Sequence, residues 1–569
     1  FLDTEGEIYI PEYFYRPITI TSVLLKLFTR VLNVRLDKVV EKQKFLSEHQ
    51  FGFRKNKSTS DAIFVVTTAI EKAKQEGMDA GLASIDLSAA YDMVSRTALF
   101  KKLYSLGISG SFLEILQDYY TNDSVVYVVG TGVTKALYLI QGVKQGCNLS
   151  PLLFNLFLVD VIEEIHRTKL GIKIGQNIVT IISYADDLII LVECIENLNK
   201  IIDFLKQQCG KINMNVNAKK SKIIRIGRPL RSSTEEEMFL FDQVLACKYL
   251  GVLIEKKAFT YYTDFSDQCY KKSRMYKFSV MSKAKDSHDP ALVARELWNK
   301  VALPSILYGS EVIPIRGQEL RKINSEATQV GKFILQLPRS TTNITPTLIA
   351  GIEQIEYSYY KRVLAYKNRI ENLHNESLAK QTYEFVMNSN KPFGYRQRDQ
   401  KLERILRGED LETWYVNDIN NRKQINDYSC RFLPEKLYPG LDNQLAITSY
   451  TEEAKILAEF MTMNSGLGNR SPIKGYKQHK LCQVCQKAGQ NNRINEIHLL
   501  FECVSLKPAH IKYGTQAYKQ KNAGTDSQSI YKKYWSDYKD ENDLNERIKS
   551  ADTIRNIYLD LVKRIHNRN

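Results

Sequence analysis

An apolar stretch between Ile178 and Val192 is interrupted at its centre by Ser-Tyr-Ala-Asp-Asp at 183–187. Two apolar runs of this length are typical of adjacent buried strands, and the polar break is typical of the turn that joins them. Charged side chains seldom lie within such a frame unless they are paired or bind a metal. The pattern therefore predicts a hairpin with carboxylates at its tip, and a solvated Asp-Asp turn is the alternative.

A second predicted strand supplies another carboxylate. Residues 82–87, Leu-Ala-Ser-Ile-Asp-Leu, read as a short buried strand with Asp86 near its end. Acids from different strands make a hard-oxygen site for Mg²⁺, and a pair of such ions about 3.5–4 Å apart serves phosphoryl transfer. Asp86, together with Asp186 and Asp187 at the hairpin tip, is therefore a candidate Mg²⁺ site for phosphoryl transfer. Side chains alternate along a strand but less strictly at a tight tip, so one of the adjacent pair is expected to act less directly.

The remaining periodicity predicts an α+β fold with helices packed on one face of an antiparallel sheet. Helices dominate beyond residue 255, and a composition shift near 465–480 indicates a boundary. Before residue 255 five helices are predicted: one at 18–43, one that begins near Ser60 (with Ser60 or Asp61 as N-cap), one that ends near Leu106, one at 152–165 and one at 195–214. Strands are predicted at 82–87, 124–129, 178–192, 222–227 and 247–254.

The charge balance points to a polyanionic partner. The chain has 80 Lys and Arg against 64 Asp and Glu, a formal net charge of +16, and its pI is near 9.1. Nucleic acid is the first expectation and a membrane surface the second. No apolar run reaches the roughly 20 residues that span a bilayer, so no membrane partner is predicted. Nine Cys suit an intracellular protein, and the first residue, Phe1, suggests a fragment.

Three cysteines and a histidine form a second candidate site. The spacing C-x2-C-x12-H-x4-C suits tetrahedral, structural Zn²⁺, with chance spacing as the alternative. Its predicted ligands are Cys482, Cys485, His498 and Cys503. A basic, Tyr-rich stretch follows at 507–535, and another basic run lies at 271–285. Both suit nucleic-acid binding, and a solvated lysine-rich surface is the alternative for each.

Several motifs in order resemble one known family. Tyr-Ala-Asp-Asp at 184–187, Asp-Leu-Ser-Ala-Ala-Tyr-Asp at 86–92 and Gln-Gly-Val-Lys-Gln-Gly-Cys-Asn-Leu-Ser-Pro at 141–151 resemble the palm motifs of reverse transcriptases. The likeness is to non-LTR (LINE-type) retrotransposon enzymes, and it runs from about residue 15 to residue 503 through Tyr-Arg-Pro-Ile, Gln-Phe-Gly-Phe-Arg-Lys, Asn-Ala-Lys-Lys-Ser and Lys-Tyr-Leu-Gly. The chain is missing an Ile-Pro-Lys segment that the family usually carries upstream.

The resemblance implies roles for individual residues. Asp86 and Asp186 would be the direct Mg²⁺ ligands, and Tyr91 would lie beneath the incoming sugar and exclude a 2′-hydroxyl. Arg16 would contact the triphosphate, with a surface Arg as the alternative, and Lys220 would protonate pyrophosphate, with a solvated basic face as the alternative. Gln145 and Gly146 would contact the nucleotide and the template, and a loop before a helix is the alternative. The primer grip would be formed by Tyr249, Leu250 and Gly251, and a strand before a turn is the alternative.

By the same resemblance the chain is a right-hand polymerase with a zinc knuckle. The expected domains are fingers and palm at 1–255, a helical thumb at 256–350, a helical connector at 351–478, the CCHC knuckle at 479–510 and a basic helical tail at 511–569.

The implied activity is RNA-directed DNA synthesis from dNTPs, in target-primed reverse transcription. Element RNA is the template and nicked target DNA the primer, in the nucleus after a cytoplasmic ribonucleoprotein stage. The endonuclease is expected on a missing part of the polyprotein. An inactive or domesticated RNA- or DNA-binding fragment is the alternative, and a telomerase-like or intron-type polymerase is a third interpretation.

Overall fold

The computed structural model describes residues 19–121, 123–129, 132–226, 240–255, 261–337, 347, 350–415, 417, 546–551 and 553–554. The described residues fall into two compact units. The first contains those up to residue 265 together with 366–398, and the second contains those of 266–365 and from 399 onward. The first unit therefore includes part of the segment that the sequence assigned to a connector.

Short strands and longer helices alternate along the chain. The strands are β1 (Ala80–Asp86), β2 (Ser124–Val125), β3 (Val128–Val129), β4 (Gly132–Val133), β5 (Leu137–Tyr138), β6 (Ile172–Ile174), β7 (Asn177–Val179), β8 (Ile181–Tyr184), β9 (Asp187–Val192), β10 (Lys222–Ile226), β11 (Asp242–Gln243), β12 (Ala246–Tyr249) and β13 (Val252–Glu255). The α-helices are α1 (Val23–Lys42), α2 (Thr59–Gln75), α3 (Arg96–Ser105), α4 (Ser111–Tyr120), α5 (Ser150–Arg167), α6 (Asn197–Lys211), α7 (Tyr261–Lys285), α8 (Pro290–Leu297), α9 (Leu303–Ile306), α10 (Gly317–Ile334), α11 (Ile355–Glu371), α12 (Leu378–Asn388) and α13 (Gly394–Leu406).

A five-stranded sheet lies at the centre of the first unit, in the order β11-β10-β1-β9-β8. Strand β1 runs antiparallel to β9 and β10, and β8 runs antiparallel to β9. Strands β8, β9 and β10 are rich in Ile, Leu and Val, and β1, β8 and β9 are mostly buried, as expected for a sheet covered by helices. Helix α5 is buried on nearly all sides and belongs, with α6, to the same hydrophobic core as β1 and β9.

The α+β class is confirmed, but the predicted arrangement is not fully reproduced. Strand β11 pairs in parallel with β10. Helix α2 contacts β8 and β10 from outside the core that contains α5 and α6, so the helices are not confined to one face of the sheet.

The start of α2 differs from the prediction. Ser58 is the N-cap, and its hydroxyl accepts from the Asp61 amide while the Asp61 carboxylate accepts from the Ser58 amide. This capping box begins the helix earlier than an N-cap at Ser60 or Asp61 would, because two backbone donors are satisfied reciprocally.

The segment between Gly107 and the motif at 141–151 is more divided than the sequence suggested. Helix α4 was not predicted, although Leu113, Leu116 and Tyr120 are buried at helical spacing. The strand expected at 124–129 is two strands instead, and they pair in separate ladders, β2 with β5 and β3 with β4. A run of β-branched residues carries no mark of where a ladder breaks.

The second unit is helical in the part that the structure describes. It holds α8, α9, α10 and most of α7, and a π-helical turn at Trp298–Ala302 joins α8 to α9. Trp298 and Ile323 are fully buried in it. Across both units, no described helix has the length and apolarity needed to cross a bilayer.

Candidate active site

The catalytic hairpin predicted from Tyr-Ala-Asp-Asp is present at the edge of the central sheet. Strands β8 and β9 pair from Ile181 with Ile190 to Tyr184 with Asp187, and Ala185 turns the chain with a φ of 56°. Strand β1 continues the ladder, so that Asp86 lies directly opposite Asp187. Opposed residues of an antiparallel pair project to the same face. The register therefore makes Asp187 the direct neighbour of Asp86, while Asp186 occupies the tip.

The charge of Asp186 affects the pKa of Tyr91, the residue predicted to lie beneath the incoming sugar. Tyr91 is half-buried and stacks on the Phe154 ring, with 4.9 Å between ring centroids and 11° between planes. Burial raises the pKa of Tyr91 above its ordinary value, and the negative charge of Asp186 raises it further. The Tyr91 phenol thus stays neutral within electrostatic reach of the hairpin tip.

Lys220 lies beside the first carboxylate. Its Nζ is 3.8 Å from Asp86 Oδ2, and its side chain is 56% exposed. The backbone fixes this approach, because the Asn217 amide donates to the Asp86 carbonyl at 2.8 Å and the Asp86 amide donates to Ser221 Oγ at 3.2 Å. Lys220 thus places an exposed positive charge next to Asp86.

The loop that bears Gln145 and Gly146 is anchored next to Tyr91. The Val143 amide donates to the Tyr91 carbonyl at 2.8 Å, and the Thr19 amide donates to the Gln145 carbonyl at 2.8 Å. Gly146 has a φ of 99°, in the left-handed region where a side chain is strained. The structure therefore brings this loop, Tyr91 and the hairpin of β8 and β9 close together in the first unit.

A brace behind the hairpin was missed by sequence reasoning. Residues 49–51 pair with β8, since the Phe51 amide donates to the Ser183 carbonyl at 2.8 Å and the Ser183 amide donates to the His49 carbonyl at 2.9 Å. At Gly52 an added Cβ would lie 2.5 Å from the Ala185 nitrogen, so only glycine fits against the tip.

Two buried amides complete this brace. Gln50 donates to the Asn155 carbonyl at 2.9 Å, and Asn155 Nδ2 donates to the Gly52 carbonyl at 2.7 Å. Both side chains are almost fully buried. Buried polar groups are nearly always paired, so a lone Asn in the apolar run of α5 and a Gln before Phe-Gly-Phe were the available signals.

The predicted primer-grip residues form a separate tight hairpin. Strands β12 and β13 pair from Ala246 with Glu255 to Tyr249 with Val252. The two linking residues, Leu250 and Gly251, have φ values of 44° and 84°. Tyr249 is buried and Gly251 is exposed, so the turn itself is the accessible part.

The described residues contain no set of three or more His, Cys, Asp or Glu close enough to hold a metal ion. The convergence of Asp86, Asp186 and Asp187 on one ion is therefore not seen in this structure. The opposed pair Asp86 and Asp187 does supply the carboxylate oxygens that a hard divalent cation prefers. Arg16 and the four predicted zinc ligands, Cys482, Cys485, His498 and Cys503, lie outside the described residues.

Comparison with known proteins agrees with this geometry. Residues 12–254 match the family described as "Reverse transcriptase (RNA-dependent DNA polymerase)". The chain is 23% identical to the Drosophila melanogaster protein "Probable RNA-directed DNA polymerase from transposon BS", over 63% of this chain and 40% of that protein. It is 26% identical to the Popillia japonica "Retrovirus-related Pol polyprotein from type-1 retrotransposable element R2", over 58% of this chain and 46% of that protein.

The chain thus spans less than half the length of these curated relatives. Among solved structures, the match to apo telomerase from Candida tropicalis covers 63% of this chain and 61% of the telomerase chain, at 13% identity and a TM-score of 0.34. As a family, reverse transcriptases depend on divalent metal ions and bind nucleic-acid templates. Residues 12–254 therefore match the reverse transcriptase family, and the relatives named here are proteins of transposable elements.

Proposed function

We propose that this chain is the RNA-directed DNA polymerase of a non-LTR retrotransposon. The observation that carries the proposal is the register that sets Asp86 opposite Asp187, next to the tip of the catalytic hairpin, with Lys220 3.8 Å from Asp86. Acids that meet across two strands beside an exposed cation suit phosphoryl transfer better than a solvated turn. The family match favours an enzyme over a fragment that only binds RNA or DNA.

The reaction joins a deoxynucleotide to a primer. The primer 3′-hydroxyl oxygen attacks the α-phosphorus of the dNTP and loses its proton, and the bond from that phosphorus to the bridging oxygen breaks. The released pyrophosphate takes a proton, for which Lys220 is the proposed donor. Asp86, Asp186 and Asp187 would hold two Mg²⁺ ions, which when bound activate the attacking hydroxyl and stabilise the leaving oxygen.

Other residues bind and select the nucleotide. Tyr91, backed by Phe154, blocks the space that a ribose 2′-hydroxyl needs. Gln145 and Gly146 contact the nucleotide and the template, with glycine allowing close approach of the backbone. Arg16 binds the triphosphate through its guanidinium fork. The turn at Tyr249, Leu250 and Gly251 holds the primer end.

The wider role follows from the relatives rather than from the geometry. We propose target-primed synthesis on element RNA, with nicked target DNA as primer and an endonuclease supplied by another part of a longer polyprotein. Such synthesis takes place in the nucleus, after a cytoplasmic ribonucleoprotein stage. The net charge of +16 suits these polyanionic partners. A zinc knuckle of Cys482, Cys485, His498 and Cys503 has the soft and imidazole donors that Zn²⁺ prefers and would shape a nucleic-acid surface.

Primer extension tests the proposal. Wild-type protein, the Asp186→Asn variant and the Asp203→Asn variant are compared on a poly(rA)/oligo(dT) duplex with Mg²⁺ and dTTP. Asp203 is an exposed acid of α6, so it controls for loss of one negative charge. We expect extension by wild type and Asp203→Asn and loss of at least about 100-fold with Asp186→Asn, since aligned reacting groups contribute on this scale.

The alternative function has its own outcome. Wild-type protein that binds the duplex but never extends it would favour an RNA- or DNA-binding fragment. Equal extension by wild type and Asp186→Asn would remove the assignment of the acid.

A further inference from the structure

A buried ion cluster lies beneath the loop that carries Gln145 and Gly146. Arg96 Nη2 donates to Asp123 Oδ2 at 2.9 Å, and Lys144 Nζ is 2.7 Å from Asp123 Oδ1. All three side chains are at most 10% exposed. One carboxylate thus holds two cations in a place where water screens them little.

Arg96 also gathers backbone from three segments. Its Nε donates to the Gly142 carbonyl at 2.9 Å, and its Nη1 donates to the carbonyls of Tyr120 at 2.9 Å and Leu139 at 2.7 Å. A guanidinium presents five donors in a rigid fork, which lysine cannot reproduce. The fork therefore ties the end of α4 to both ends of the short segment that precedes Val143.

Lys144 joins the same cluster from within the loop. Its Nζ lies 4.5 Å from the centre of the Tyr119 ring, and the Tyr119 hydroxyl donates to Cys147 Sγ at 3.5 Å. Lys144, just before Gln145, and Cys147, just after Gly146, thus both contact Tyr119 of α4. The loop is therefore anchored on both sides of the two predicted contact residues.

The loop also contacts the backbone around Tyr91, the residue predicted to exclude a 2′-hydroxyl. The Gly142 amide donates to the Val94 carbonyl and the Val143 amide donates to the Tyr91 carbonyl, both at 2.8 Å. Gly142 has a φ of 88°, and an added Cβ there would lie 3.0 Å from the Asp92 carbonyl oxygen. A shift of the loop would therefore change its distance from Tyr91 as well.

We propose that Arg96, Asp123 and Lys144 are positioning residues that set the dNTP affinity of this polymerase by fixing the Gln145–Gly146 loop beside Tyr91. The inference rests on the proposed function. None of the three needs to touch the nucleotide. They act through the loop, so their loss weakens nucleotide binding more than the chemical step.

Steady-state kinetics on the poly(rA)/oligo(dT) duplex tests the proposal with Asp123→Asn, Lys144→Met and Asp160→Asn. Lys144→Met leaves the Arg96–Asp123 pair balanced in charge, so it remains informative if Asp123→Asn does not fold. Asp160 pairs with Lys102 at the same 2.7 Å but is 68% exposed, so it is the matched control. We expect KM for dTTP to rise about 10- to 100-fold in Asp123→Asn and several-fold in Lys144→Met, because small misplacement of a binding group costs this much.

The split between constants separates positioning from general damage. Values of kcat within about threefold of wild type, and unchanged duplex affinity, are expected for the folded variants. Amide hydrogen exchange of 139–147, measured without nucleotide, should rise in the same variants and not in Asp160→Asn. An unchanged KM in a folded variant, or no change in exchange, would overturn the inference. If wild type does not extend at all, the proposed function fails first, while exchange still reports whether the cluster anchors the loop.

Discussion

The hairpin proposed to be catalytic and the hairpin proposed to grip the primer, here called the catalytic hairpin and the grip hairpin, differ in what holds them. The catalytic hairpin of β8 and β9 is joined to β1 on one side and to residues 49–51 on the other, and Gly52 packs against its tip. The grip hairpin of β12 and β13 forms a two-stranded sheet of its own. Both turns contain a residue with positive φ that is not glycine, Ala185 in one and Leu250 in the other.

The difference separates two mechanical requirements. Chemistry needs reacting groups held to within a fraction of an ångström, which a turn clamped on both sides can provide. A primer end must move by one nucleotide after each addition. The grip hairpin pairs with no other described strand, although Tyr249, Val252 and Ile254 are buried, so its turn is held less tightly than the clamped tip. We therefore expect damage at the brace to lower kcat and damage at the grip to lower primer retention.

The largest effect is expected at the brace. Gly52→Ala should lower kcat about 100-fold by pushing Ala185 and the adjacent Asp186 out of place, with little change in duplex affinity. The φ of Gly52 is not in the left-handed region, so the contact with the Ala185 nitrogen is the cause under test. Gly210→Ala in α6 is the control, because its added Cβ would meet no atom within 4 Å apart from the neighbouring backbone of its own helix. A kcat close to wild type in Gly52→Ala would mean that the tip is not clamped.

A buried lysine makes the same region sensitive to pH. Lys57 lies 4.9 Å from the centre of the Phe51 ring and pairs with Glu48 at 3.0 Å. Burial, and then the charge of Arg54, lower the pKa of Lys57 to about 8. The unfolded chain keeps this proton up to a pH of about 10.4, so between the two values the unfolded state binds more protons and stability rises with pH.

Below pH 8 both states are protonated and the cost of the buried charge is fully present. Denaturation by urea at pH 7.5 and 9.5 should show wild type gaining about 2 kcal/mol relative to Lys57→Met, which is the part of the full effect that falls between these two pH values. An equal response of the two proteins to pH would contradict the assignment.

The amide that supports Gly52 should matter for stability. Asn155→Ala removes the donor to the buried Gly52 carbonyl and should cost about 2 kcal/mol of unfolding free energy. Asn372→Ala removes a comparable bond to the Asn368 carbonyl on an exposed helix end and should cost much less. Chemical denaturation measures both, and equal losses would show that burial of the brace adds nothing.

The smallest effect is expected at the grip. Gly251→Ala places a side chain at a φ of 84°, and Gly107→Ala does the same at 81° after α3. Each should cost about 1 kcal/mol. Only Gly251→Ala should shorten the products made per binding event, with single-nucleotide kcat preserved. Shortened products from Gly107→Ala as well would mean that lost stability, and not the grip, is responsible.

Local patterns were sufficient for the elements that are periodic and the motifs that are contiguous. The catalytic hairpin, β1 with Asp86, and helices α5 and α6 were all predicted, because apolar periodicity reports burial directly. Helix α4 and the two ladders at 124–138 were not, because short elements with mixed faces leave a weak signal. Asp123 was not noticed, since a single acid in a loop looks the same whether it is hydrated or paired with two buried cations.

The likeness to reverse transcriptases, the carboxylates and the hairpin that carries two of them could be predicted from motifs and apolar runs, because these are formed by residues that are neighbours in the chain. The position of Asp187 opposite Asp86, the packing of Gly52 and Asn155 against the tip, and the cluster of Arg96, Asp123 and Lys144 could not be predicted in this way. Strand register and buried pairing join residues tens of positions apart, and their energies depend on burial, which appears only when the core has formed.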